Sequence, residues 1–183
     1  DQGDQFSAGT MSFTMLDTSG IFNPFDTDSP YYDTAQAQPG LAPMRRVRLS
    51  RYSSLNVKEY LFVGVVVNFD YNFALGGLDT VTVFCADDFY LLAQTYLDEF
   101  NVSEQLSSAR VTAVLDRPEV AFPALTRDIA TGSQTLGGAA AFTVAQGTNV
   151  LGYLSDVNEA EQGRLFMSRD GDLVFDARLG TTL

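Results

Sequence analysis

The first half of the chain alternates between apolar and polar side chains with the period of two that is typical of β-strands. Over residues 10–16, two Met and one Phe fall on one face, while Ser and Thr fall on the other. Similar runs predict three further strands over 44–52, 59–72 and 80–85. Strands that follow one another so closely predict a barrel-like or curled antiparallel sheet.

Glycine and asparagine positions interrupt these runs. Asn56 falls between the second and third runs, where a turn is needed. Gly76-Gly77 joins the last two runs, which predicts an antiparallel hairpin. Gly64 lies inside the longest run, where we expect a bend or a bulge.

A long loop separates the first strand from the second. It is rich in Asp, Asn, Ser and Pro, and it carries four aromatic side chains: Phe22, Phe25, Tyr31 and Tyr32. Loops longer than about a dozen residues are uncommon in compact domains and are usually functional or disordered. The aromatic content argues against disorder, so we predict that residues 23–43 pack against their own domain and a neighbouring molecule.

Beyond residue 86 the apolar residues recur at helical spacing. The pattern predicts three helices, over 88–97, 103–115 and 149–162. We expect Asp87 to be the N-cap of the first helix and Thr148 to be the N-cap of the third.

The last third of the chain mixes helix and strand. Gly163 follows the third helix, where a left-handed residue commonly ends a helix. Short runs over 128–130 and 134–136 predict two strands. Asp-Gly at 170–171 stands between two alternating apolar runs and predicts a closing β-hairpin.

These elements predict an α+β fold that is mainly antiparallel β. We expect a β-barrel-like domain over 1–86, a helical connection over 87–125, and a small α+β unit over 126–183 that ends in a β-hairpin. The sequence starts at Asp1 rather than Met, within a polar stretch. We therefore expect it to be a fragment of a longer polypeptide.

Composition narrows the classes of function. Of 183 residues 45% are apolar, enough for a buried core, and the formal net charge is −12. Nucleic acids and anionic membranes bind basic surfaces, so neither is an expected partner. The longest apolar run, over 61–67, is far shorter than the roughly 20 residues of a membrane span.

The residue types offer little for catalysis or metal binding. The chain has no His and a single Cys, so the commonest general base and metal ligand are missing. Cys85 is expected to be a small buried hydrophobe. Asp87 and Asp88 could suggest acid–base chemistry, but a helix start favours a cap and a dipole partner. The glycine pairs Gly76-Gly77 and Gly137-Gly138 lack the context of a phosphate-binding loop. We predict no enzyme activity and no cofactor.

Two charged groups remain to be interpreted. Asp26, Asp28 and Asp33 could suggest a calcium loop, but the spacing lacks the expected Gly and Glu, and turn stabilisation is favoured. The basic residues cluster instead on the second strand, as Arg45, Arg46, Arg48 and Arg51. These arginines form either a solvated strand face or a contact with an acidic neighbour such as another copy of the chain. The residues alone leave both readings open.

Four motifs follow one another along the chain. The first comprises Leu16-Asp17, Gly20, Phe22, Pro24, Ser29-Pro30-Tyr31 and residues 43–48. The other three are LFVG at 61–64, the run over 81–93, and EQGRLFMSRDG at 161–171. Together they resemble the minor tail proteins of tailed phages, also called tail hub or baseplate hub proteins, and most of all those of phages that infect actinobacteria. The first motif departs from the pattern of that family at Thr18, Ile21 and Asn23.

The resemblance implies a structural role in the virion. Such hub proteins form rings, commonly trimers, at the tail tip below the tail tube. They join the tube to fibres or receptor-binding proteins, contact the distal tail protein and surround the end of the tape measure. Family members carry a further strand before the first motif, and they have no catalytic residues to transfer.

From the loop and the basic strand we predict a subunit interface. Its residues are Phe22, Phe25, Tyr31, Tyr32, Arg46 and Arg48. Three alternatives remain: a distal tail protein, which normally forms a hexamer, a tail-associated carbohydrate-binding module, and a tail-associated hydrolase. The absence of Trp lowers the case for the carbohydrate-binding module.

Overall fold

The computed structural model describes residues 7–75, 78–137 and 142–178. The chain divides into two compact units. Residues 9–87 form one unit, and residues 88 onward form the other together with residues 7 and 8. The predicted turn at Gly76-Gly77 lies outside the described residues, as does Gly138 of the second glycine pair.

The first unit contains a four-stranded antiparallel sheet that curls into a half-barrel. Its strands in chain order are β1 (Thr10–Asp17), β2 (Tyr32–Asp33), β3 (Gln38–Pro39), β4 (Arg46–Tyr52), β5 (Lys58–Asn72) and β6 (Asp79–Ala86). The order across the sheet is β1-β6-β5-β4, and β2 pairs with β3 as a separate small hairpin. The four long strands confirm the period-two prediction.

Strand β5 carries two bulges, and neither lies at Gly64. Leu61 has no partner opposite it in β4, and Val67 has none in β6. The prediction of a bend or bulge at Gly64 is therefore wrong. A Cβ atom at Gly64 would overlap the carbonyl oxygen of Ala86, so glycine serves here to let two backbones approach closely.

The core of this unit lies on one face of the sheet. Val66, Val81, Val83 and Cys85 are buried there. Partly buried apolar side chains from β1, β4, β5 and the long loop surround them. Burial raises the pKa of the Cys85 thiol, which fits the predicted role as a small buried hydrophobe.

The second unit alternates short strands with three helices. Its elements are α1 (Asp88–Gln94), β7 (Tyr96–Leu97), β8 (Phe100–Val102), β9 (Gln105–Leu106), α2 (Ser107–Leu115), β10 (Arg127–Ile129), β11 (Thr135–Leu136), β12 (Phe142–Val144), β13 (Thr148–Asn149), α3 (Val150–Glu161), β14 (Arg164–Met167) and β15 (Leu173–Asp176). Three antiparallel pairs are nested: β7 with β13, β8 with β12, and β9 with β11. Strand β15 pairs antiparallel with β14 and parallel with β10.

The three helices and the closing hairpin share one core. Val111, Val114, Leu154, Leu173 and Phe175 are fully buried in it. These residues come from both sides of position 125, where the sequence pattern places a division. The three-part domain division stays a prediction. No helix within the described ranges is long and apolar enough to cross a membrane.

The first two helices are shorter than predicted. Helix α1 ends at Gln94 rather than at residue 97, because residues 96 and 97 pair with β13. Helix α2 begins at Ser107 rather than at residue 103, because residues 105 and 106 pair with β11. In both cases a partner strand far along the chain overrides local helical spacing.

The ends of α3 differ from prediction by one residue each. Asn149 is the N-cap, and its Oδ1 accepts the N–H of Gly152 at 2.9 Å. The predicted cap, Thr148, lies in β13 instead. At the other end Gln162 adopts the left-handed conformation, with a φ of 57°. Gly163 follows it, and a Cβ there would overlap the carbonyl oxygen of Asp176.

Candidate functional site

The long loop of the first unit is an ordered arm, defined here as residues 18–43. Asp17, at the end of β1, is only 5% exposed and fixes the base of the arm. Its Oδ1 accepts the N–H of Ile21 and its Oδ2 accepts the N–H of Phe22, both at 3.0 Å. Gly20, in the turn between Asp17 and Ile21, adopts a φ of 73°. The carboxylate thereby directs Phe22 onto the apolar core of the sheet.

Ser29 ties the middle of the arm to its base. Its buried hydroxyl donates to the carbonyl of Ile21 at 2.5 Å and accepts the N–H of Tyr31 at 3.2 Å. The ring of Tyr31 then stacks on Phe22 with centroids 5.4 Å apart. Gly40 donates its N–H to the carbonyl of Tyr31, so the arm folds back on itself. The predicted ordering of this loop is therefore present in the structure.

The acidic residues of the arm stabilise turns. Oδ1 of Asp26 accepts the N–H of Asp28 at 3.0 Å, and Oδ1 of Asp33 accepts the N–H of Ala35 at 3.0 Å. Asn23 does the same for the N–H of Phe25. Such contacts are the ordinary reason for Asp and Asn in turns. Within the described residues no group of three or more His, Cys, Asp or Glu could hold a metal ion.

The four aromatic residues of the arm have different environments. Phe22 and Tyr32 are half-buried, and Phe22 packs on the core of its own sheet. Tyr31 is 44% exposed, and Phe25 is 86% exposed. The depression beside Phe22 and Tyr31 has a cavity volume of about 10 Å³, which is far below the roughly 300–1,000 Å³ of a typical ligand pocket. The arm therefore presents an exposed aromatic side chain rather than a cavity.

Strand β4 presents the predicted basic residues at the edge of the sheet. Arg46 and Arg48 are exposed on one face, and Val47 between them packs into the core on the other. Arg51 falls on the face opposite to Arg48, where it pairs with Glu59 at 2.9 Å. The four arginines of the sequence cluster are thus not a single surface.

Two residues of β5 complete the basic surface and were missed by sequence reasoning. The ring of Tyr60 lies 4.7 Å from the guanidinium carbon of Arg48 and 5.4 Å from Nζ of Lys58. Nη1 of Arg48 also lies 3.5 Å from the Tyr60 hydroxyl. We call Arg46, Arg48, Tyr52, Lys58 and Tyr60 the basic face. Alternation along the paired strands 44–52 and 59–72 was the signal that could have placed Tyr60 beside Arg48.

The acid pair Asp87 and Asp88 is inaccessible. The two residues are only 9% and 4% exposed. Oδ2 of Asp87 accepts the N–H of Gly9 at 2.8 Å, which fastens the start of β1. Asp88 is the first residue of α1, where a carboxylate complements the helix dipole. Buried carboxylates in these positions serve the fold.

Glu161 in the second unit is a buried carboxylate with an unusual number of donors. It accepts hydrogen bonds from the Ser107 hydroxyl at 2.6 Å, from the Ser133 hydroxyl and N–H at 2.7 and 2.9 Å, and from the Gln134 N–H at 2.9 Å. The N–H of Arg178 adds a longer bond at 3.3 Å. Its position on the apolar stripe of α3, where a charge is out of place, was the available signal.

These donors hold Glu161 in its charged form. Burial by itself raises the pKa of this carboxyl, but the hydrogen bonds from Ser107, Ser133 and Gln134 outweigh burial and lower the pKa to about 2. The carboxylate joins α3 to the start of α2 and to the loop before β11. It is an internal tie between segments, with no exposed surface for a ligand.

Comparison with known proteins gives similarity of fold alone. No protein-family model matches the sequence, and no curated protein matches it. Among solved structures, the 43 kDa tail protein of prophage MuSo2 from Shewanella oneidensis aligns over 94% of this chain with a TM-score of 0.60 and 14% identity. The E. coli c3393 protein aligns over 91% with a TM-score of 0.54 and 12% identity.

The c3393 protein is a component of the type VI secretion system and is structurally similar to the T4 bacteriophage tail proteins gp27 and gp5. A tail protein from Neisseria meningitidis MC58 aligns over 65% of the chain with a TM-score of 0.49 and 13% identity. The chain spans 45%, 40% and 35% of the MuSo2, c3393 and Neisseria proteins. The likeness to the MuSo2 and c3393 proteins shows that the α+β fold predicted from the sequence also occurs in a prophage tail protein and in a component of the type VI secretion system.

Proposed function

We propose that this chain is a structural protein of a phage tail and forms part of the hub ring at the tail tip. The observation that carries the proposal is the fold, which the MuSo2 tail protein shares over 94% of the chain. The four ordered sequence motifs support the same assignment independently, and they favour a phage of actinobacteria. We propose no catalytic role.

The ordered arm and the basic face supply the contacts that a ring subunit needs. Phe25 and Tyr31 are exposed on a segment that is fixed by its own hydrogen bonds. Binding of this segment to a partner therefore costs little conformational entropy. Arg46 and Arg48 stand on an edge strand of the sheet. Phe22 and Tyr32 act mainly by holding the arm in shape. The proposed partners are other copies of the chain, the tail tube, the distal tail protein, fibres and the tape measure.

Immunogold electron microscopy tests this proposal. Antibodies against the chain, applied to particles from the phage that encodes it, should label the end of the tail away from the head. Label along the whole tube, or label on the head alone, would contradict a tail-tip role. Antibodies that first bind excess free chain are the matched control, because specific label should then vanish.

A further inference from the structure

Charge is sharply segregated in the middle of the first unit. The arm, residues 18–43, contains Asp26, Asp28 and Asp33 and no Lys or Arg. The next segment, 45–58, contains five of the eleven cations of the chain and no Asp or Glu. An arm with a charge of −3 is thus followed directly by a segment with a charge of +5.

The three carboxylates of the arm form no ion pair with the cations of the next segment among the described residues. Asp26, Asp28 and Asp33 form no ion pair with any residue that the structure describes. Over the same described ranges, Arg48 and Lys58 have no carboxylate partner either. Both cations instead lie against the single ring of Tyr60. Two like charges that share one ring repel each other, and a carboxylate placed between them would relieve that repulsion.

The basic face also offers apolar surface beside its charges. Tyr52 is 66% exposed, and strand alternation places it on the same face as Arg48 and opposite Lys58. A matching ligand would carry carboxylates next to an aromatic side chain. Residues 25–28, called here the arm tip, have that composition, because Phe25 is 86% exposed and is followed by Asp26 and Asp28.

The arm tip is fixed in shape before it meets a partner. Asn23 accepts the N–H of Phe25, and Asp26 accepts the N–H of Asp28. The base is held by Asp17. A preorganised segment loses little conformational entropy on docking, so an exposed Phe in it is well suited as an anchor.

We propose that the arm tip of one copy of this chain docks on the basic face of a second copy. Phe25 packs against Tyr52 and Tyr60, while Asp26 and Asp28 approach Arg48 and Lys58. In the proposed ring each subunit docks its arm tip on one neighbour and receives the arm tip of the other on its basic face. This is a head-to-tail contact, the type that closes into rings when the rotation allows. This deepens the proposed function, because it names which surfaces of neighbouring subunits meet.

Sedimentation velocity of the full chain and two double variants tests this contact. The arm variant, Asp26→Asn with Asp28→Asn, removes charge and keeps the Oδ1 acceptor of the turn. The face variant, Arg48→Gln with Lys58→Gln, removes the cations. We expect the native chain to associate beyond the dimer at low salt and each variant to be monomeric. An equimolar mixture of the variants should form a dimer and stop there.

The mixture is the decisive measurement, because each variant keeps one intact surface. A contact of arm with arm would let the face variant associate by itself, and a contact of face with face would let the arm variant do so. Either result would overturn the proposal. A monomeric native chain, or variants that associate as the native chain does, would overturn it as well. Arg51→Gln is the matched control, since it removes a cation from β4 on the opposite face and should leave association unchanged.

Salt gives a second readout of the same contact. Between about 0.01 M and about 1 M salt the screening length falls from about 30 Å to about 3 Å. The dissociation constant of the native chain should rise at least about tenfold over that range. The experiments distinguish failure of the proposed docking from failure of the proposed role at the tail tip. Gold label at the tail tip together with a monomeric chain would refute the docking and leave the function standing.

Discussion

Ser107 and Glu161 are 54 residues apart in the sequence, and their side chains meet in a 2.6 Å hydrogen bond inside the second unit. Glu161 has no exposed surface, and every donor to it among the described residues is a hydroxyl or a backbone N–H. A buried carboxylate without a neighbouring cation depends entirely on those donors. This hydrogen-bonded cluster should therefore be weakened by replacement of the Glu161 carboxylate, by acid, and by crowding from a larger neighbouring side chain.

Glu161→Gln should destabilise the protein by about 2–4 kcal/mol. The amide presents an NH₂ group to donors that need an acceptor, and the charge that strengthens the remaining bonds is lost. Urea denaturation measures the effect. Glu159→Gln on the exposed side of α3 is the control and should change stability by less than about 0.5 kcal/mol. Equal effects of the two substitutions would contradict the role of Glu161.

Stability should fall in acid through the same residue. The pKa of Glu161 is lowered from 4.5 to about 2 in the folded chain, so its contribution is complete above pH 4.5 and is lost as the pH falls towards 2. Because a difference of one in pKa corresponds to about 1.4 kcal/mol, the contribution is on the order of 3 kcal/mol. The stability difference between the native chain and Glu161→Gln should shrink over that window. A difference that is constant down to pH 2 would disprove the assignment.

Gly132→Ala should destabilise the same region by crowding. A Cβ at Gly132 would overlap Oγ of Ser107 and come within 3.2 Å of Oε2 of Glu161. We expect a loss of about 1–3 kcal/mol in thermal or urea unfolding. Gly152→Ala in α3 is the matched control, because its nearest contact would be an ordinary 3.6 Å, and helix propensity favours Ala by up to about 1 kcal/mol. The two substitutions should therefore have opposite signs.

Asp17→Asn should loosen the arm while leaving the sheet folded. One of the two N–H groups, of Ile21 or Phe22, loses its acceptor, at a cost of about 1–3 kcal/mol. Amide hydrogen exchange at these two residues should become at least about fivefold faster, while exchange in β5 stays unchanged. Asp28→Asn, which removes a charge from the arm without touching its base, should leave both amides as slow as in the native chain.

Local pattern was sufficient where structure is decided locally. The period-two runs located β1, β4, β5 and β6, because a half-buried strand needs that alternation whatever its partner. The ends of α1 and α2 were beyond the same reasoning. Residues 96 and 97 have helical spacing, but pairing with β13 takes them out of the helix. Thr148 and Asn149 are both good caps, and the choice between them depends on that same pairing.

The candidate site shows the same limit. Composition marked Phe22 and Phe25 equally as arm aromatics, yet Phe22 serves the core of its own unit and Phe25 is exposed. The difference between them is the hydrogen bond from the N–H of Phe22 to the carboxylate of Asp17, which residue types alone do not specify. Glu161 was visible only as a charge on an apolar stripe. Its donors come from α2 and from residues 133 and 134, which no spacing rule connects to it.

The two bulges of β5 make its length adjustable. Leu61 has no partner in β4, and Val67 has no partner in β6. Deletion of Leu61 would therefore leave a regular ladder with β4, and deletion of Val67 would leave a regular ladder with β6. Loss of any residue between them would turn the following side chains to the wrong face. Because each bulge adds local twist, a single deletion at either position would flatten the half-barrel without breaking it. We therefore expect a one-residue deletion at Leu61 or Val67 to reduce the curvature of this sheet while its apolar face stays inward.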